Sequence, residues 1–386
     1  MLDVTRLLNE RFDAAGHLRY GHQGERPRRP VVVWTLTQSC NLRCLHCYAD
    51  AVTGKVPGEL SFAEVSRILE QLSEVGVAAL LLSGGEPLVR GDIFDIASLA
   101  RQMGIPTTLS SNGTLIDGRM AERIKQAGFR YVGISLDGLE ERNDLFRGSR
   151  GAFRRALAGI RNCKAVGQKV GLRLTLTSHT VSDLYGIFRL VEEEGIERVC
   201  FYHLVYSGRG RGIQDTALSP HETRQAVEAI FQQAWNWLTQ GSNIEVLTVD
   251  NHADGPFLYL WASHHLGADR AQRIRTLLSK NGGNNSGVAL VHIDNMGRVH
   301  PDQFTWGHVV GDLRRQTFRE IWLDPSHQLL RQLRDRHPLL PEKCRRCPFL
   351  DICNGNFRAR AWGATGDFWG MDPGCYLTDE ETARAA

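Results

Sequence analysis

Along residues 31–205, short apolar runs rich in β-branched residues alternate with longer stretches whose apolar positions recur at helical spacing. The runs fall at 31–37, 78–83, 105–110, 130–136, 169–176 and 198–205, and predict strands. The stretches at 61–75, 92–103, 117–127, 151–166 and 181–194 predict the helices between them. Ser61-Phe62-Ala63-Glu64 opens the first helix as a capping box, and Gly76, Gly104, Gly128, Gly167 and Gly195 stand where helices should stop. Strand–helix alternation of this kind requires crossovers and a parallel sheet, so the fold class is α/β. Six units predict a partial (βα)6 parallel barrel, open where eight would close. Working groups in parallel barrels gather at the C-terminal ends of the strands.

Past residue 210 the rhythm stops. Ser219-Pro220-His221-Glu222 reads as a helix start, with Ser as N-cap, Pro at the first helical position and Glu three after the cap. A helix to about residue 239, a strand near 244–249 and a helix near 268–279 follow, then an Asn/Gly loop at 281–287. Residues 288–293 and 298–300 flank the turn Asp294-Asn295-Met296-Gly297 as a hairpin would, and 313–323 and 328–336 look helical. The expected division is an N-terminal segment 1–25, a barrel 26–215, a bridge 216–285 and an α+β extension 286–386.

Composition changes this picture little. A 386-residue chain with 42% hydrophobic residues can bury a full core, and a net charge of +3 gives no argument for nucleic acid. No apolar run approaches the ~20 residues of a membrane span. The start Met-Leu-Asp-Val-Thr-Arg has no apolar signal region, so a reducing cytoplasm is expected and disulfides are not.

The chemistry lies in the cysteines. Cys40, Cys44 and Cys47 are spaced C-x3-C-x2-C directly after the first strand. Three thiolates suit a 4Fe–4S cluster with one iron left open to a ligand, whereas zinc would need His46 as a fourth donor from a cramped loop. Other strands end in Ser83-Gly84-Gly85-Glu86, Ser110-Ser111-Asn112-Gly113 and Ser135-Leu136-Asp137-Gly138. A second set, Cys344-x2-Cys347-x5-Cys353 with Cys375 beyond, has the donor type of another cluster, with structural zinc as the competitor. Cys163 and Cys200 read as buried core thiols.

Cys40, Cys44 and Cys47 followed by Gly84-Gly85-Glu86 and Ser135-Leu136-Asp137 resemble the radical S-adenosylmethionine (SAM) superfamily. The resemblance implies a cluster whose open iron holds SAM, and its cleavage to a 5′-deoxyadenosyl radical that abstracts hydrogen from a substrate. By position, Gly84, Gly85 and Glu86 would hold the SAM amino group. Ser111 and Ser135 would reach its ribose or carboxylate, with Asp137 supporting them. His46 would lie near the adenine and Arg147 would pair with the carboxylate. The tail cysteines resemble the SPASM or twitch extension, which implies an auxiliary 4Fe–4S cluster. Val299-His300-Pro301-Asp302-Gln303 lacks the further cysteine of a full-length SPASM domain, so one auxiliary cluster is expected, closed by Cys375 and passing electrons. Such enzymes take electrons from a low-potential donor such as flavodoxin or ferredoxin.

More narrowly, residues 201–210 and 132–138, taken with the tail, resemble the NirJ family of heme d1 biosynthesis. That resemblance implies an iron tetrapyrrole substrate, 12,18-didecarboxysiroheme, whose propionate arms are removed on the way to oxo groups. Arg209 and Arg211 would meet its carboxylates, and His203 and His252 are candidates to approach its iron. A related enzyme that removes acetate arms from the same tetrapyrrole is a rival reading. A peptide-modifying enzyme and an iron–sulfur or zinc scaffold are the others.

Overall fold

The structure is a computed structural model and describes residues 1–9 and 29–383. Every expected barrel strand forms: β2 (Val31–Thr35), β3 (Ala79–Ser83), β4 (Thr107–Ser111), β5 (Val132–Ser135), β6 (Val170–Leu176) and β7 (Arg198–His203). They pair in sequence order, all parallel, with helices 62–75, 93–102, 118–127, 152–165 and 184–193 as crossovers. The first helix starts on the predicted capping box: Ser61 Oγ accepts from Glu64 N at 3.3 Å while the Glu64 carboxylate accepts from Ser61 N at 2.8 Å.

The sheet runs beyond these six strands. β8 (Glu245–Val249), in the segment expected to bridge two domains, adds parallel to β7. β1 (Leu2–Asp3) then pairs antiparallel with β8 and forms one edge. At the other edge β9 (Leu290–Ile293) lies parallel to β2, and hairpin partner β10 (Arg298–His300) and β11 (Gly311–Asp312) follow. The predicted hairpin of the C-terminal extension is thus an integral part of the barrel sheet. With β1 and β11 at opposite ends of the strand order, the barrel stays open.

Period-two alternation sorts each strand between two environments. Val32, Trp34, Leu80, Leu82, Leu109, Val132, Ile134, Leu172 and Leu174 are buried in one continuous core. Val33, Leu81, Ser110, Ser135 and Arg173, the alternate positions, line the lumen instead.

Several helices, Glu140–Arg147 and Asp254–His265 among them, were not expected from the sequence. Glu140–Arg147 follows β5 in a stretch to which no element was assigned. Asp254–His265 buries Phe257, Leu258, Trp261 and Ala262 together with Gly255 and Pro256, so it is apolar around most of its circumference and shows no single stripe. The helix expected over 313–323 is shorter, Phe318–Leu323, because Gly311–Asp312 is taken up as β11 and Thr317 caps the helix.

Candidate functional site at the barrel mouth

The loop after β2 carries Cys40, Cys44 and Cys47, which pack as one cluster with Leu42 and Ala51. The loop is clamped by neighbours whose backbones come very close. Gly85 N donates to Thr37 O at 2.6 Å and Glu86 N to Ser39 O at 2.9 Å. A Cβ on Gly84 would stand 2.7 Å from Thr37 O, and one on Gly85 would stand 2.4 Å from Ser39 O. The glycine pair therefore lets the β3 loop dock on the cysteine loop. Arg209 holds the other side, donating from Nε to Cys44 O at 2.9 Å and from Nη1 to Ala51 O at 2.8 Å.

Donors are aimed at the sulfurs. Leu42 N lies 3.3 Å from Cys40 Sγ, Ala51 N 3.5 Å from Cys47 Sγ, and Arg147 Nη1 3.6 Å from Cys44 Sγ. Burial raises the Cys40 thiol to about 12, and burial likewise raises Cys44 against the opposing charge of Arg147. Thiols in this setting become thiolates only when a cation compensates them, which is what coordinated iron does. The donor set fits a cluster held by three cysteines.

Glu86 is fully buried and turned inward. Its Oε1 accepts from Ser111 Oγ at 2.9 Å and Leu88 N at 3.1 Å, and its Oε2 from Asn112 N at 2.7 Å. It welds the β3 and β4 ends together, and burial raises it to about 7. Neither Glu86 nor Ser111 lines the cavity beside the cysteine loop.

That cavity, about 130 Å³, is lined by His46, Ser135, Asp137, Arg147 and His203, five of the residues expected from sequence. Asp137 accepts from Thr175 N through Oδ1 at 2.7 Å, and its Oδ2 pairs with Arg147 Nη2 and faces His46 Nε2 at 3.4 Å. His46 stacks on Phe146 with ring centroids 4.6 Å apart, and burial lowers it to about 4. The imidazole is therefore neutral at pH 7. His203 is tied by Nε2 to Asp254 Oδ2 at 3.0 Å, and Asp254 Oδ1 accepts from Tyr376 OH at 2.8 Å.

The remaining expected substrate contacts lie elsewhere. Arg209 does not present its guanidinium at the mouth, because two of its nitrogens hold backbone carbonyls of the cysteine loop. Arg211 is exposed and lies outside the cavity, 3.4 Å from Tyr206 O. The His252 ring tilts over Phe357 at 6.2 Å, and burial lowers its pKa well below the usual range. In their place the cavity presents Tyr48, Arg173, Tyr202, Asp250 and Phe304. Alternation along β6 and β7 could have found Arg173 and Tyr202. Asp250 follows β8, a strand the sequence reading left outside the barrel.

The tail cysteines converge. Cys344, Cys347, Cys353 and Cys375 all line one cavity of about 30 Å³, together with Met371, whose Sδ is 3.8 Å from Cys344 Sγ. Cys375 is brought in by a buried fork. Arg360 Nε and Nη2 donate to Asp372 Oδ1 and Oδ2 at 2.7 and 2.9 Å, while Asp372 also accepts from Phe357 N and Gly374 N. The same guanidinium reaches Asp250 O from Nη1 at 2.8 Å, so it fastens the tail loop to the barrel mouth. Four convergent thiols with apolar lining suit a closed cluster.

Comparison with known proteins agrees with this geometry. Residues 34–197 match the radical SAM superfamily, and residues 287–348 match the SPASM iron–sulfur cluster-binding domain. The chain is 44% identical to the Fe-coproporphyrin III synthase of Methanosarcina barkeri, over 99% of this chain and 98% of that protein. It is 41% identical to the pre-heme d1 synthase of Dinoroseobacter shibae, over 92% of this chain and 88% of that protein. The fold matches anSMEcpe with bound AdoMet at a TM-score of 0.69 and 19% identity, covering 90% of this chain and 94% of that one. Streptococcus suis SuiB bound to its precursor peptide gives 0.70 and 18%, covering 90% and 76%. Among the described residues no helix is long and apolar enough to cross a membrane. The chain belongs to the radical SAM superfamily, an enzyme of SAM and a 4Fe–4S cluster whose SPASM domain implies an auxiliary iron–sulfur cluster.

Proposed function

We propose that this enzyme removes acetate arms from an iron tetrapyrrole, 12,18-didecarboxysiroheme, the activity of the related enzyme set beside the NirJ family. The observation that carries the reading is 44% identity over an alignment that covers 99% of the chain, barrel and cluster-binding tail included. Modification of propionate arms towards heme d1 is the second reading, supported by 41% identity to pre-heme d1 synthase over 92% of the chain. Peptide substrates have weaker support: the PqqA peptide cyclase of Gluconobacter oxydans is 27% identical.

Cys40, Cys44 and Cys47 would hold the SAM cluster, and Cys344, Cys347, Cys353 and Cys375 the auxiliary one. Bound SAM supplies the hydrogen-abstracting radical once a low-potential donor, of the flavodoxin or ferredoxin kind, delivers an electron. His46, Ser135, Asp137 and Arg147 border that chemistry, and the packing of Phe304 on Tyr48, with centroids 5.1 Å apart, helps exclude water.

Once a hydrogen atom has left the arm with 5′-deoxyadenosine, R–CH•–COO⁻ needs two protons and one electron to become R–CH3 and CO2, the electron coming from the same low-potential donor. The protein must therefore keep a proton available in a dry site. Asp250 is suited to hold it at Oδ2, which is buried with no hydrogen-bond partner, and burial raises this carboxyl to about 7.

The test is anaerobic incubation with SAM and dithionite, reading 5′-deoxyadenosine. Didecarboxysiroheme should stimulate its release, whereas a peptide panel should not. Release unchanged by the tetrapyrrole would refute the reading.

A further inference from the structure

Two guanidiniums line the barrel cavity, those of Arg147 and Arg173, and Arg147 contacts the cysteine loop. Arg147 touches Cys44 and pairs with Asp137. Arg173 rises from the middle of β6, level with Ser135 of β5 and Cys200 of β7, and among the described residues it has no carboxylate within ion-pair distance. Its Nη1 donates to Ser110 Oγ at 2.5 Å, and its buried Nε has no partner. The guanidinium lies beside the Tyr131 ring, 5.9 Å from its centroid.

The lumen is shaped around this group. A Cβ on Gly133 would stand 2.2 Å from Arg173 Nε and 2.5 Å from Nη2, so only glycine leaves the guanidinium its place. A buried cation without a counter-charge is costly, and a cradle that keeps it there implies an anion supplied from outside the chain. Arg173 is fork-shaped and partly open to the cavity, as carboxylate recognition requires. SAM brings a single carboxylate, and Arg147 already stands at the cysteine loop. A tetrapyrrole with peripheral acid arms brings several.

We infer that Arg173, seated against Gly133 and steadied by Ser110, is the subsite for one carboxylate arm of the substrate. This rests on the tetrapyrrole reading and adds the group that orients the ring in the cavity. Arg173 is a binding residue; the subsite transfers no proton or electron.

The test uses the reconstituted holoenzyme, with affinity read by absorbance titration for didecarboxysiroheme and for its methyl ester. Reductive SAM cleavage without substrate is measured alongside. Wild type should prefer the free acid at least tenfold. Arg173→Gln should lose at least tenfold in affinity for the acid and lose the preference over the ester, with basal SAM cleavage kept within twofold. Gly133→Ala, which leaves the charge but displaces it, should show the same loss and serves if Arg173→Gln yields no folded holoenzyme. An acid affinity unchanged in these variants overturns the inference. So does loss of basal SAM cleavage with both clusters intact, which would assign Arg173 to the SAM carboxylate. Wild type that binds neither form overturns the tetrapyrrole reading itself.

Discussion

Replacing Asp250 with Asn keeps its shape and removes its charge, and the structure says what that is worth. The residue is 6% exposed, Oδ2 has no partner, and its backbone is left-handed at φ 68°, a conformation Asn tolerates as well as Asp. Burial raises the carboxyl to about 7, against the pull of the amino-terminal charge and Arg360, with Asp302 adding to the rise. Because the folded value lies above the unfolded one, the native state binds more protons between about pH 4 and 7, and wild-type stability falls as pH rises through that window. At about 1.4 kcal/mol per unit, Asp250→Asn should be more stable by about 1.5 kcal/mol at pH 5 and about 4 kcal/mol at pH 8. An unfolding entropy of about 2 cal/mol/K per residue turns this into about 2 °C and about 5 °C in Tm. The assay is anaerobic thermal unfolding of both proteins at the two pH values. An offset that does not grow with pH, or a variant less stable at pH 8, would refute the reasoning. If Asp250 supplies the proton, the stabilised variant should also turn over at least tenfold more slowly.

Gly85→Ala drives a methyl into Ser39 O, so the purified protein should lose about 2–4 kcal/mol and most of the iron of its first cluster, read by iron analysis and circular dichroism. Asp372→Asn breaks the buried fork on Arg360 and should cost about 3–5 kcal/mol while selectively depleting the auxiliary cluster, as Mössbauer spectroscopy would resolve. Cys353→Ala should spare SAM cleavage yet lower substrate turnover at least tenfold. Unimpaired turnover in a variant shown to lack that cluster would contradict its role.

The barrel was legible because each of its strands is a short apolar run bounded by turn residues, and each crossover helix has one apolar stripe. Asp254–His265 escaped because it is packed on most sides, so its pattern carries no helical period. β1 escaped because two residues, Leu2 and Asp3, carry no period at all, and only their pairing with Thr248 and Leu247 makes them a strand. The cysteines were legible as donor sets from spacing, but their convergence with Cys375 depends on the Arg360–Asp372 fork, which spacing does not reveal. Glu86 shows a further limit. Its place at a strand end was legible, but its burial and the bonds it accepts from Ser111, Leu88 and Asn112 were not. Arg209 was expected at the mouth, whereas Arg173, which lines the lumen, was not singled out from the sequence. Arg209, in the short helix after β7, reaches carbonyls of the cysteine loop, while Arg173 is held by β6 at a lumen-facing position.

Which arms leave the ring is the deciding question. Didecarboxysiroheme labelled with carbon-13 at its acetate carboxyls, incubated anaerobically with the reconstituted enzyme, SAM and dithionite, answers it by mass spectrometry. Acetate removal predicts labelled CO2 and a porphyrin product that has lost the label while keeping its propionates. A product that retains the label and has lost or altered propionates would contradict it.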